Sequence, residues 1–211
     1  MEAGAGEPTR SMAAQTAAAA RRVAARRQAM PNGLWGMALF LCSEVTIFGT
    51  LLSSYFYLDF DAPRWPPAGV ERPALAWPLI ATGWLIATSV PMLVASRAAR
   101  RGNRSTTVWM ITLALVMQAC YLAAQIYLFH HDLDSFSPQG SAYGSIYFTI
   151  LAVHHAHVAV GMVLDLGILW HVGVRGLNNY RLIGVRGLAL YWHVVNVLAV
   201  FVVLTQVSPS L

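Results

Sequence analysis

The feature that most constrains this chain is a set of five long stretches almost free of charge. Between Arg27 and Asp59 the one charged residue is Glu44; Arg72 to Arg97 and Arg104 to Asp132 enclose none; Asp134 to Arg175 encloses Asp165 alone; nothing charged follows Arg186. A helix needs roughly 20 apolar residues to cross the hydrocarbon core of a bilayer, and each stretch supplies them. Lipid requires backbone groups to pair within the spanning structure, and these stretches lack the alternating polarity of a barrel strand. The pattern predicts an all-α integral membrane bundle with spans near 33–57, 75–96, 107–129, 145–170 and 187–207.

Composition agrees. With 57% hydrophobic and 11% charged residues and a mean hydropathy of +0.54, the chain does not read as a soluble domain, where about 25% of residues are charged. The formal charge is +5 and all 14 basic residues are Arg, which raises a nucleic-acid reading. Position excludes it, because the Arg residues form short clusters between apolar runs rather than one basic face. Those clusters also predict orientation. Five Arg lie in residues 1–30, four between Arg97 and Arg104, and three between Arg175 and Arg186, whereas the alternate side has only Arg64 and Arg72. Twelve against two predicts the N-terminus inside and the C-terminus outside. Residues 1–30 read as an Ala/Arg-rich cytoplasmic tail and 31–211 as the five-helix transmembrane domain. A secretory leader would place its charge first, whereas Arg21 and Arg22 follow the Ala17–Ala20 run.

Ionisable and strongly polar groups at bilayer depth are costly and mark sites or interhelical contacts. Here they are Glu44 in the first span, His154, His155, His157 and Asp165 in the fourth, and His193 with Asn196 in the fifth. Gln118 and Gln125 in the third span suit ordinary interhelical hydrogen bonds. At helical spacing, His154, His157, Gly161 and Asp165 form one stripe, with His155 about 100° away. Counting about 1.5 Å per residue puts Glu44 and His154 at about 17 and 16 Å from the inner surface, His157 at about 12, and Asn196 and His193 at about 14 and 9. The expectation is one polar seam shared by spans one, four and five, in which Glu44 faces His154 or His157 and His193 and Asn196 lie close by.

Intrinsic redox chemistry finds little support. His157 and His171 are spaced to serve two haems on one helix, but no second His pair of such spacing exists on another helix. Cys42 and Cys120 form no Cys-x-x-Cys or Cys-x-x-Cys-His motif and are expected as buried free thiols. Pro78 and Pro91 occur only in the second span and are expected to adjust a packed helix, and no matching break in two halves supports a transporter repeat. A small proton-coupled channel or transporter using Glu44 and the histidines remains the alternative from another class.

Three stretches together carry a resemblance. Leu34-Trp-Gly-Met-Ala-Leu-Phe-Leu-Cys-Ser-Glu-Val-Thr-Ile-Phe48 resembles the Ser-Glu-containing helix of the cytochrome c oxidase subunit III family. His154-His-Ala-His-Val-Ala-Val-Gly161 is similar to its His-x-x-His-x-x-x-Gly helix, Tyr191-Trp-His-Val-Val-Asn196 to its terminal Tyr-Trp-His-x-x-Asp motif, and Trp65-Pro-Pro-Ala-Gly69 to a family loop. The resemblance spans about residues 31–208. It implies a multi-pass protein of a bacterial plasma membrane, in the shorter form without the family's two N-terminal helices. It further implies a subunit that packs on subunits I and II of a haem-copper terminal oxidase and holds phospholipid. Such a subunit supports turnover without a redox centre, the haem and copper residing in the partner subunits. Glu44, His154, His157, Tyr191, Trp192 and His193 match motif positions one by one. Asn196 replaces the family's Asp, and Arg186 stands where Glu is common before Tyr-Trp-His. An accessory protein of a nitric oxide reductase and a quinol oxidase subunit are the nearby alternatives.

Overall fold

A computed structural model describes residues 32–70 and 76–208. The predicted tail, residues 1–30, lies outside them. The described chain is helical throughout, in six segments: α1 (Asn32–Asp61), α2 (Ala76–Ala87), α3 (Ser89–Arg100), α4 (Arg104–Ser135), α5 (Ala142–Arg175) and α6 (Asn179–Val207). The second and third form one span of 25 residues, so five helices have the length and hydropathy to cross a bilayer. Each outruns its predicted span, because helical pairing continues past the last apolar turn into the polar ends.

Local chemistry sets the boundaries. Asn103 starts α4 by accepting the Thr106 N–H at 3.1 Å, Ser141 starts α5 by accepting from Gly144 at 3.1 Å, and Asn178 starts α6 by accepting from Arg181 at 2.8 Å. Gly176, with φ +73°, ends α5 in a conformation that favours glycine. The last carbonyls of α5 are met by arginines: Arg104 donates to the Gly173 carbonyl and Arg181 to that of Gly176 at 2.7 Å. The break between α2 and α3 falls at Thr88, three residues before Pro91, whose ring displaces the bond that the Ala87 carbonyl would otherwise accept. Pro91 adjusts a packed span here, as expected.

Helix α6 occupies the centre, packing on α1, α2, α3 and α5. Helix α4 packs on α2, α3 and α5, while among the described helices α1 packs on α5 and α6. The bundle is therefore a four-span unit with α1 laid along one side. Burial follows this plan. Thr107, Ile111, Ala114, Gln118, Tyr121 and Gln125 form the inner stripe of α4, and Leu151, His154, Val158, Gly161 and Asp165 that of α5, in alternating steps of three and four. On α1 only Leu34, Leu41, Phe48 and Tyr55 are buried, one residue every seven. Large apolar side chains such as Leu39, Trp109, Val163 and Val197 cover the outside, as expected of a bundle whose solvent is hydrocarbon.

The two ends differ in charge. Arg97, Arg100, Arg101, Arg104, Arg175 and Arg181 gather where α3 and α5 end and α4 and α6 begin. Asp59, Asp61, Asp132 and Asp134 gather at the opposite end. That acidic end also carries an aromatic cluster, in which Trp65 of the connection after α1 sits edge-on between Tyr55 at 5.4 Å and Tyr143 at 5.1 Å. Both cysteines are exposed rather than buried. An apolar residue in a membrane span faces lipid at no cost, so membership of an apolar run does not imply a place in the core.

Candidate functional site

The polar residues expected to form one seam fall into four groups. In the first, Glu44 of α1 meets His157 of α5: Glu44 Oε2 is in hydrogen-bond contact with His157 Nε2. The other ring nitrogen, Nδ1, lies 2.6 Å from the Val153 carbonyl. A carbonyl only accepts, so Nδ1 carries a proton, and one further proton joins Nε2 to the carboxyl. Whether that proton sits on nitrogen or oxygen, the pair is neutral as a whole, which is what its depth demands. The side chains of His157 and Glu44 are 17% and 12% exposed, at the outer edge of the α1–α5 contact.

His154 does not join them. Three residues along a helix is a turn of about 300°, which directs His154 toward α4 while His157 faces α1. His154 Nε2 lies 3.2 Å from the Tyr121 hydroxyl, which accepts from the Gln125 amide at 3.1 Å. His154 is buried, and its Nδ1 has no partner among the described residues. His157 thus lies off the α5 inner stripe, where sequence spacing had put it with His154, Gly161 and Asp165.

The third group explains the Tyr-Trp pair. Tyr191 donates its hydroxyl to the His157 carbonyl at 2.6 Å, and Trp192 Nε1 donates to Asp165 Oδ2 at 3.0 Å. The Gln118 amide nitrogen, once the amide is turned, donates to the same carboxyl oxygen at 2.7 Å and to the Ala114 carbonyl at 3.3 Å. Both rings lie over Gly161, where a Cβ would meet Trp192 at 2.5 Å and Tyr191 at 2.8 Å. The glycine of the His-x-x-His-x-x-x-Gly motif is therefore the seat for the aromatic pair of α6, and these motifs describe two sides of one interface.

The fourth group lies across α6. Asn196 Nδ2 donates to Ser89 Oγ at 2.7 Å and to Thr88 Oγ1 at 3.3 Å, at the break in the second span, rather than approaching Glu44. Thr88 gives its own proton to the Leu85 carbonyl at 2.6 Å, so its oxygen needs a donor, and an amide supplies one where a carboxylate would not. His193 is half-buried, and no hydrogen bond joins it to Glu44, His154 or His157 among the described residues. Asn196 thus turns to the break in the second span instead of Glu44, because matching depth does not place two residues on the same side of a central helix.

Asp165, Tyr121, Thr88 and Ser89 complete these groups. Tyr121 was findable from sequence, since Gln118, Tyr121 and Gln125 share one helical face at steps of three and four. Among the described residues no three His, Cys, Asp or Glu side chains converge on a point that could hold a metal ion.

Residues 15–207 match the family described as Cytochrome c oxidase subunit III. The chain belongs to that family. Similar proteins include a probable quinol oxidase subunit 3 of Staphylococcus haemolyticus, 28% identical over 81% of this chain and 84% of that protein. The cytochrome bo(3) ubiquinol oxidase subunit 3 of Pseudomonas aeruginosa is 25% identical over 79% of each chain. The cytochrome c oxidase subunit 3 of Gallus gallus is 30% identical over 82% of this chain and 67% of its own. Family membership and five spanning-length helices agree with a multi-pass membrane protein that is part of an oxidase complex.

Proposed function

We propose that this chain is subunit III of a haem-copper terminal oxidase, seated against subunits I and II in a bacterial plasma membrane, and that it sustains turnover without carrying electrons. The observation that carries this reading is the convergence of the family's motif residues on α5: Glu44 on His157, and Tyr191 and Trp192 on the seat at Gly161. These are helix-to-helix contacts, with their donors directed at protein acceptors. Among the described residues no three metal-ligating side chains converge, and in this reading haem and copper belong to the partner subunits. Phospholipid is assigned to the apolar exterior.

The Arg-rich end and the acidic end of the bundle support an N-terminus in the cytoplasm and a C-terminus outside. The relatives named for quinol and for cytochrome c oxidases match at comparable identity, so both donor types belong to the same reading of this subunit. Purification of the affinity-tagged chain from its native membranes in mild detergent tests the proposal. The expected product is a complex that contains haem and copper and reduces O2, with neither cofactor in the chain expressed alone. Tightly bound haem in the isolated chain, or a native complex without haem and copper, overturns it.

A further inference from the structure

A cleft of about 670 Å³ opens at the acidic end of the bundle between α2, α4, α5 and the end of α6. Trp77, Pro78 and Leu128 give it apolar walls, and His131, Asp132 and Ser135 stand with them on its lining. A second, small cavity of about 10 Å³ lies inward, lined by Thr82, Tyr121, His154 and Ala199. Gln125, Leu151 and Gln206 line both spaces and so stand where the two adjoin.

The polar atoms form two hydrogen-bonded runs along this course, with no hydrogen bond between the two among the described residues. Tyr147 donates to Asp132 Oδ2 at 2.8 Å, and Gln206 Nε2 reaches the Tyr147 hydroxyl at 3.4 Å. Gln125, on the far side of the divide, donates to Tyr121, which is bonded to His154. With the Tyr121 oxygen accepting from Gln125, the acceptor that its own proton finds among the described residues is His154 Nε2. His154 Nδ1 then carries a hydrogen with no acceptor among the described residues. His154 is 2% exposed and lies twelve residues into α5, about 18 Å from its start. A buried donor left unmet is costly, and a polar space of about 10–15 Å³ is enough for one water.

We propose that these two spaces form a hydrated cleft, through which water reaches the middle of the bundle from the acidic end and its innermost molecule accepts the Nδ1 hydrogen of His154. Water suits the course better than an acyl chain, because hydrocarbon would leave Asp132, Gln125 and Gln206 facing an apolar filling. The proposal stands independently of the oxidase reading.

Cysteine accessibility in native membranes tests it, in a background carrying Cys42→Ala and Cys120→Ala. A charged methanethiosulfonate reagent attacks thiolates, which form only where water reaches the sulfur. Leu151→Cys and Gln206→Cys place a thiol where the wide cleft adjoins the inner cavity, and Leu204→Cys places one near the depth of Gln206 on the outer face of α6. The expected result is labelling of Leu151→Cys and Gln206→Cys at least about tenfold faster than Leu204→Cys, from the acidic side only. Either cleft variant suffices if the other fails to accumulate. Rates equal to Leu204→Cys overturn the proposal. So does modification by a lipid-soluble maleimide alone, the outcome for a cleft filled by an acyl chain.

Discussion

At the α1–α5 contact a histidine meets a carboxyl group, and both side chains keep more than a tenth of their surface exposed. At the α4–α5 contact a histidine three residues earlier meets only neutral partners and is 2% exposed. The difference follows from where each helix sits. Helix α1 lies along the side of the bundle with one buried residue in seven, so a pair that carries charge within it but none overall is tolerable there. Helices α4 and α5 share a continuous inner stripe in which an isolated charge would have no compensation. The side contact is therefore a partly exposed clasp, and the inner one buried packing.

The severest break of this contrast is expected at the shared seat. Gly161→Leu drives a side chain into Trp192 and Tyr191 and should remove the chain from membranes, while Gly161→Ala should cost about 1–3 kcal/mol, both read by immunoblot and by unfolding in mixed detergent. Next is Asn196→Asp, which restores the residue common in the family but brings a carboxylate to hydroxyls one of which has already spent its proton. On insertion scales the loss should reach about 2.5–3.5 kcal/mol if the group ionises, and a neutral effect would show that Thr88 can turn its proton toward it. Tyr121→Phe comes third, at roughly 1–2 kcal/mol, because it strips both Gln125 and His154 of a partner. Glu44→Gln is expected to be mildest, at about 0.6 kcal/mol, since an amide still donates to His157 Nε2. The Glu44 and Tyr121 changes should also add within about 0.5 kcal/mol, and strong coupling between them would mean that the two contacts form a single network.

The five spans and their order were legible because hydrocarbon tolerates so few charges that gaps between Arg and Asp mark them directly. The break in the second span was legible in kind, since Pro91 must release a carbonyl one turn back. The Glu44–His157 contact was legible from depth, with one of two histidines left to choose between. Lateral order was not. Glu44 and Asn196 share a depth, yet α6 stands between their partners, and no single helix encodes which neighbour lies on which side. The stripe on α5 was misread for a related reason: steps of three and four both look like one face in sequence, but only His154, Gly161 and Asp165 keep the alternation that points inward. Asp165 stood out as a membrane carboxyl, whereas its partners Trp192 and Gln118 come from two different helices and emerge only from the packing.

The central claim is that this subunit sustains an oxidase without performing a redox or proton-transfer step of its own, and the most direct test is the time course of O2 consumption by the complex assembled with Glu44→Ala. The account predicts an initial rate close to that of the unaltered complex followed by earlier inactivation, as the clasp between α1 and α5 loosens during turnover. An immediate and complete loss of activity, in a complex that retains the chain and its haem and copper, would contradict it.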